Sequence, residues 1–201
     1  MVLTNQFFCD IICMVINVNE ILKLSPNELY DYIKKHIAYG FVDKHSNKYF
    51  PKDFGNVDID SLYILQSPQE VIKNKCAWCW DVIELIRYYF EQNNIYNETY
   101  YMEYKDDKNN IHHTHTFIAF KDKNKWYNIE DNSSNNPNGI FEYNSKDDLI
   151  YTITNSFKEW IKSLYNLTSV DNYFVCLKYN KPTYGISAPL FQKFCKNQKQ
   201  A

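Results

Sequence analysis

Residues 76–90 read Cys76-Ala77-Trp78-Cys79-Trp80-Asp81-Val82-Ile83-Glu84-Leu85-Ile86-Arg87-Tyr88-Tyr89-Phe90. Within them Val82, Ile83, Leu85, Ile86, Tyr89 and Phe90 recur at helical spacing, which predicts an amphipathic helix that Gln92-Asn93-Asn94 brings to an end. Cys79 falls in the first turn of that helix, where the positive end of the macrodipole favours a thiolate. A thiol so placed is a candidate nucleophile, and the flanking sequence decides whether a base accompanies it.

Downstream, the apolar periodicity changes to that of strands. Residues 99–104, 114–120 and 125–130 predict three consecutive antiparallel strands, joined by a polar loop at 105–110 and a turn at 121–124. Residues 132–139 read as plain polar loop, a further helix begins at the cap Ser145 and runs towards Tyr165, and residues 173–179 predict one more strand. Upstream, Ser25-Pro26-Asn27-Glu28 and Ser67-Pro68-Gln69-Glu70 each carry an N-cap, a first-turn proline and a capping-box glutamate. The first of these helices stops at Gly40 and the second fades near Asn74; between them residues 41–64 read as a long surface excursion of the kind that borders binding sites. The class is α+β, with N-terminal helices and the nucleophile helix packed on an antiparallel sheet.

With 201 residues and a net charge of −2, the chain predicts a single domain over 1–201. Its expected core spans about 25–179, with an N-terminal extension at 1–24 and a C-terminal tail at 180–201. Charges of both signs are mixed along the chain, so neither a nucleic-acid partner nor a membrane surface is expected. Arg87 is the only arginine, a bias that reads as compositional. The six cysteines, Cys9, Cys13, Cys76, Cys79, Cys176 and Cys195, sit in a chain too large to need disulfide staples, and reduced thiols in a cytoplasmic protein are expected. The apolar run 7–18 is interrupted by Asp10 and falls short of the roughly 20 residues needed to span a bilayer. Met14 is an alternative start to the chain.

Acyl transfer by a thiol requires an imidazole to share the proton and an acceptor to hold the imidazole. Of His112, His113 and His115, the last is best embedded among strand-forming residues, and a period of two sets His113, His115 and Phe117 on one face. On the next strand Trp126, Asn128 and Glu130 share a face, which brings Glu130 within cross-strand reach of His115; Tyr127, Ile129 and Asp131 share the other. The backbone N–H of Cys79 is one expected oxyanion donor, with Gln66, Gln69 or the indole of Trp78 or Trp80 as a second, although wall packing is the commoner role of such tryptophans. No cofactor and no metal is required by this chemistry. Cys76 and Cys79 also form a C-x-x-C, which alternatively suggests redox chemistry, or zinc with Cys9 and Cys13 or His112 and His113 as further ligands.

Cys79-Trp80-Asp81 heading an apolar helix, then His115-Thr116-Phe117, then Trp126-Tyr127-Asn128-Ile129-Glu130, resembles the core of the transglutaminase-like superfamily, a branch of papain-like thiol enzymes, and is most similar to small bacterial members. The resemblance extends loosely from about Ser25 to Tyr143. It implies a papain-like core, a peptide or protein carboxamide as substrate, and a Cys79 nucleophile, His115 base and Glu130 orienting acid. The third position is usually aspartate in that superfamily, so a bulge would transfer the role from Glu130 to Asp131. A non-catalytic binding module on the same fold, or an acyltransferase resembling arylamine N-acetyltransferases, are the other readings.

Overall fold

The computed structural model describes residues 17–130 and 138–198. Cys9, Cys13, Met14, Asp131 and the apolar residues up to 16 lie outside them. In chain order the elements are α1 (Val18–Ile21), α2 (Pro26–His36), β1 (Ala38–Tyr39), β2 (Phe41–Val42), β3 (Lys48–Tyr49), a 3-10 turn (Pro51–Asn56), α3 (Ile59–Leu62), α4 (Pro68–Asn74), β4 (Cys76–Ala77) and α5 (Cys79–Gln92). There follow β5 (Asn97–Asp106), β6 (Ile111–Asp122), β7 (Lys125–Glu130), β8 (Gly139–Tyr143), α6 (Lys146–Tyr165), a 3-10 turn (Asp171–Tyr173), β9 (Phe174–Tyr179) and α7 (Ala188–Lys196).

Both Ser-Pro motifs start helices through complete capping boxes: Glu28 and Glu70 donate their N–H to the Ser25 and Ser67 hydroxyls, and their carboxylates accept the serine N–H in return. β5 to β9 form one antiparallel sheet in the order β8-β7-β6-β5-β9. The period of two divides β6 between two cores. Ile118 and Phe120 pack with Val82, Ile83, Ile86 and Phe90 of α5, while Phe117 and Ala119 pack with Leu149, Ile153, Phe157 and Ile161 of α6. A third cluster of Phe41, Tyr63, Leu65, Trp80, Tyr101, Tyr179 and Phe191 surrounds the N-terminal end of α5. That helix is therefore enclosed on more than its sheet-facing stripe. Among the described residues, no helix is long and apolar enough to cross a membrane.

The structure corrects four boundaries. Among the described residues, 180–198 are not a tail: α7 lies there and buries Phe191 and Cys195 completely. The presumed extension supplies Ile21 to the first core. Residues 41–64 are anchored rather than a free excursion, because Phe41, Val42, Asp43 and Tyr63 are buried and β2 pairs with β3. β8 is an extra strand, beginning at the Gly139 expected to close a loop. The helix after Ser145 runs unbroken, and 131–137 lie outside the described residues.

Polar side chains fasten α5 to the far edge of the sheet. Glu84 and Arg87 form a buried ion pair at 3.2 Å, and Arg87 also donates to the Thr99 hydroxyl and lies 4.8 Å from the centre of the Tyr179 ring. The Tyr179 hydroxyl donates to Glu84 at 3.0 Å. Burial pushes the Glu84 carboxyl up to about 7, although Arg87 and Tyr179 pull it the other way. A carboxyl raised in the folded state lowers stability as pH climbs from its unfolded value near 4.5 to its folded one.

Arg87→Met should cost about 3–5 kcal/mol by leaving a buried carboxylate uncompensated. The loss should be larger at pH 8 than at pH 5, where Glu84 can keep its proton; urea unfolding at the two pH values measures it, and equal losses would remove Glu84 from the account. In α7, Phe191→Ala should cost about 3–5 kcal/mol as a cavity in the third cluster, read from the urea midpoint; a change near zero would restore the view of 180–201 as a tail.

Candidate active site

The N-terminus of α5 is built around Asp81, which is fully buried. Its carboxylate accepts the Trp78 N–H at 2.9 Å, the Gln66 N–H at 2.8 Å, the Tyr63 hydroxyl at 2.7 Å and the Gln66 side-chain amide at 3.3 Å. Burial pushes the Asp81 carboxyl up to about 6 against the pull of these donors. One acid thus ties the first turn of α5 to the segment before α4 and to Tyr63. The residue immediately after the capped Trp78 is Cys79, whose position follows from this anchoring.

Cys79 is 7% exposed and its N–H belongs to the first turn, where no intrahelical acceptor exists. Facing it is β6. The ladder between β6 and β7 runs only from Ala119–Asn128 to Asp122–Lys125, so His115 sits on a stretch of β6 beyond the last β7 pair. There its Nε2 lies 3.3 Å from Glu130 Oε2, its ring lies nearly parallel to Phe157 of α6 (centroids 6.4 Å apart, 13°), and it lines the same small cavity as Cys79. Burial disfavours the imidazolium, but the Glu130 charge and the contacts with Cys79 and Glu130 outweigh it and push His115 up to about 10. Cys79, His115, Thr116 and Glu130 line one small cavity whose remaining walls are Val82, Ile83 and Ile129.

The structure brings Cys79, His115 and Glu130 together. It does not bring the expected second oxyanion donors with them. The Gln66 amide donates to the Cys76 carbonyl at 3.0 Å and to Asp81, and its oxygen accepts from Asn74 at 2.8 Å, so the side chain serves the anchor rather than an oxyanion. Gln69 is exposed on α4, and the Trp78 indole donates to the Tyr39 hydroxyl at 2.7 Å. Trp80 packs against Tyr63, Trp78 and Phe191, its indole N–H buried without a hydrogen-bond partner. His112 pairs instead with Glu103 and His113 with Tyr165.

The anchoring role of Asp81 was missed from the sequence, and so was the place of Thr116 in the cavity lining. For Asp81 a signal existed, an acid three residues after the N-cap position, but a tryptophan at that cap hid it. Thr116 had none, because strand alternation puts it on the face opposite His115. Cys76, Cys79, Cys176 and Cys195 are free thiols, and among the described residues no three His, Cys, Asp or Glu side chains converge as a metal site. Burial pushes the Cys76 thiol up to about 11, with the Asp81 charge adding to it and Lys48 opposing. Compared with protein-family models and with curated proteins, the chain matches none.

Tyr63→Phe removes one charge-assisted hydrogen bond from a buried carboxylate and should cost about 1.5–3 kcal/mol. Because Asp81 is already raised, the cost should shrink as pH falls below 6 and the carboxyl protonates. Thermal unfolding of both proteins at pH 5 and pH 7.5 tests this.

Proposed function

We propose that the protein is a thiol-dependent acyl-transfer enzyme of transglutaminase-like type on a papain-like core, acting on a peptide or protein carboxamide. The carrying observation is that Cys79, His115 and Glu130 line one small cavity with the His115 ring 3.3 Å from the Glu130 carboxylate, a setting in which the imidazolium is favoured. A protonated histidine beside a thiol at a helix N-terminus is the electrostatic setting that makes sulfur a nucleophile near neutral pH.

In this mechanism the Cys79 sulfur attacks the carboxamide carbon, and the carbonyl π electrons move to oxygen. The resulting oxyanion is offered the Cys79 N–H. His115 gives its proton to the departing nitrogen as the C–N bond breaks, which leaves a thioester and releases ammonia or an amine. Water or an amine then gives its proton to His115 and attacks the thioester, and the sulfur leaves with the electron pair of the C–S bond. Glu130 keeps the ring oriented and stabilises its charged form throughout. Resolution by water makes the protein a peptidase or deamidase; resolution by a lysine amine makes it a crosslinking enzyme.

Of the aromatic rings from residues 41–64, half-buried Phe54 supports a peptide-shaped approach: it packs 6.1 Å from half-buried Trp78, next to the nucleophile, over the fully buried Phe41 and Tyr63. A cytoplasmic, bacterial setting with reduced thiols completes the proposal.

The test is alkylation by iodoacetamide at pH 7, followed at each cysteine by peptide mass spectrometry. Cys79 should react faster than Cys176, and His115→Ala should slow it roughly tenfold or more, since an ordinary thiol near pKa 8.5 is only a few per cent ionised at pH 7. Reaction at the Cys176 rate, or indifference to His115→Ala, would count against the pair. Glu130→Gln should fall between wild type and His115→Ala.

A further inference from the structure

The cavity beneath the Cys79–His115 pair has a volume of about 10 Å3 and is lined by Cys79, His115, Thr116 and Glu130 against Val82, Ile83 and Ile129. Thr116 is 1% exposed, and its hydroxyl has no hydrogen-bond partner in the protein. A buried hydroxyl of this kind is rare unless something small and polar meets it. We propose that this cavity is a binding site for one structural water, held by the Thr116 hydroxyl and the Glu130 carboxylate, and that Thr116 is thereby a positioning residue for the His115–Cys79 pair. The role rests on the thiol–imidazolium function proposed above.

Size and chemistry both select water. Roughly 10–15 Å3 is the least space that admits one water molecule, and such a water needs two to four polar partners. The threonine hydroxyl can donate to it, and the carboxylate, with about four lone-pair sites, can accept from it while still facing His115. Cys79 and His115 complete the polar lining. Val82 and Ile83 of α5 and Ile129 of β7 offer the water no hydrogen bond, so it sits against the cavity's polar lining. A water bridging Thr116 to Glu130 restrains the carboxylate from rotating away from the ring. Removing the hydroxyl loosens that restraint without touching either reacting group.

The other titratable groups around the pair do not obscure the readout. Tyr143 feels the Glu130 charge and Tyr63 and Tyr101 feel Cys79, but all three phenols are held above their ordinary value, by burial first. Asp81, raised to about 6, is present equally in every variant compared.

The experiment joins crystal structures at high resolution with the pH profile of Cys79 alkylation in full-length wild type, Thr116→Val and Thr116→Ser. The wild-type and Thr116→Ser maps should show a water within hydrogen-bond distance of both the hydroxyl and Glu130, and Thr116→Val should lack it. The Thr116→Val profile should move up by about half to one pH unit, about three- to tenfold in rate on the rising limb, and Thr116→Ser should restore the wild-type profile. A wild-type cavity without water, or a Thr116→Val profile superimposing on wild type, overturns the inference. If Thr116→Val does not fold, the wild-type map and Thr116→Ala decide it. Failure here is distinct from failure of the enzyme reading: His115→Ala slowing alkylation while Thr116→Val does not would remove only the role of Thr116.

Discussion

The hydrogen bonds that converge on the buried carboxylate of Asp81 are the constraint on which the rest of the site depends. A helix N-terminus carries unsatisfied N–H groups, and here the acid three residues into α5 reaches back to the Trp78 N–H while also accepting from Tyr63 and Gln66. Burying that acid is costly, as its pKa of about 6 indicates. What it secures is direction. With the helix start tied to residues 63–66, Cys79 has one place to be, and a thiol must be held to within a fraction of an ångström of its hydrogen-bonding position against its base to share a proton.

The same helix is restrained further along by Glu84 and Arg87, which connect it to Thr99 and Tyr179. The only arginine in the chain, read from the sequence as compositional bias, does work at this position that lysine could not. Its planar guanidinium meets a carboxylate, a hydroxyl and an aromatic ring at once. Buried charge thus sits at successive turns of the helix that bears the thiol, and the ordinary aliphatic packing of the first core holds the helix against the sheet.

Sheet topology supplies the other half of the site. Strand β6 is longer than the ladder it forms with β7, and His115 lies beyond the last described β7 pair while still paired with Met102 of β5. There its ring lies 3.3 Å from Glu130, faces Phe157 and lines one cavity with Cys79 at the start of α5. Lengths of strands and the point where a ladder stops are tertiary quantities. A local window reports that 114–120 is extended, but not which strands will flank it.

Both capping boxes, the apolar period of α5 and the alternation along β6 were legible in the sequence because each depends on contacts within a few residues, and so was the order of thiol, imidazole and acid. Misreadings arose where burial is decided by distant partners. Residues 188–196 look like a tail until Tyr101, Trp80 and Tyr179 provide an apolar surface for Phe191, and residues 41–64 look free until Phe41 and Tyr63 find the same cluster. Gln66 was a plausible oxyanion donor by composition, yet its amide is committed to Asp81 and Cys76. The sequence alone determined which groups exist and which face of its own element each occupies, since backbone periodicity is local. Only the tertiary structure decided which faces meet, because hydrogen bonds and burial between residues far apart in the chain set whether a side chain stays available or becomes part of the scaffold.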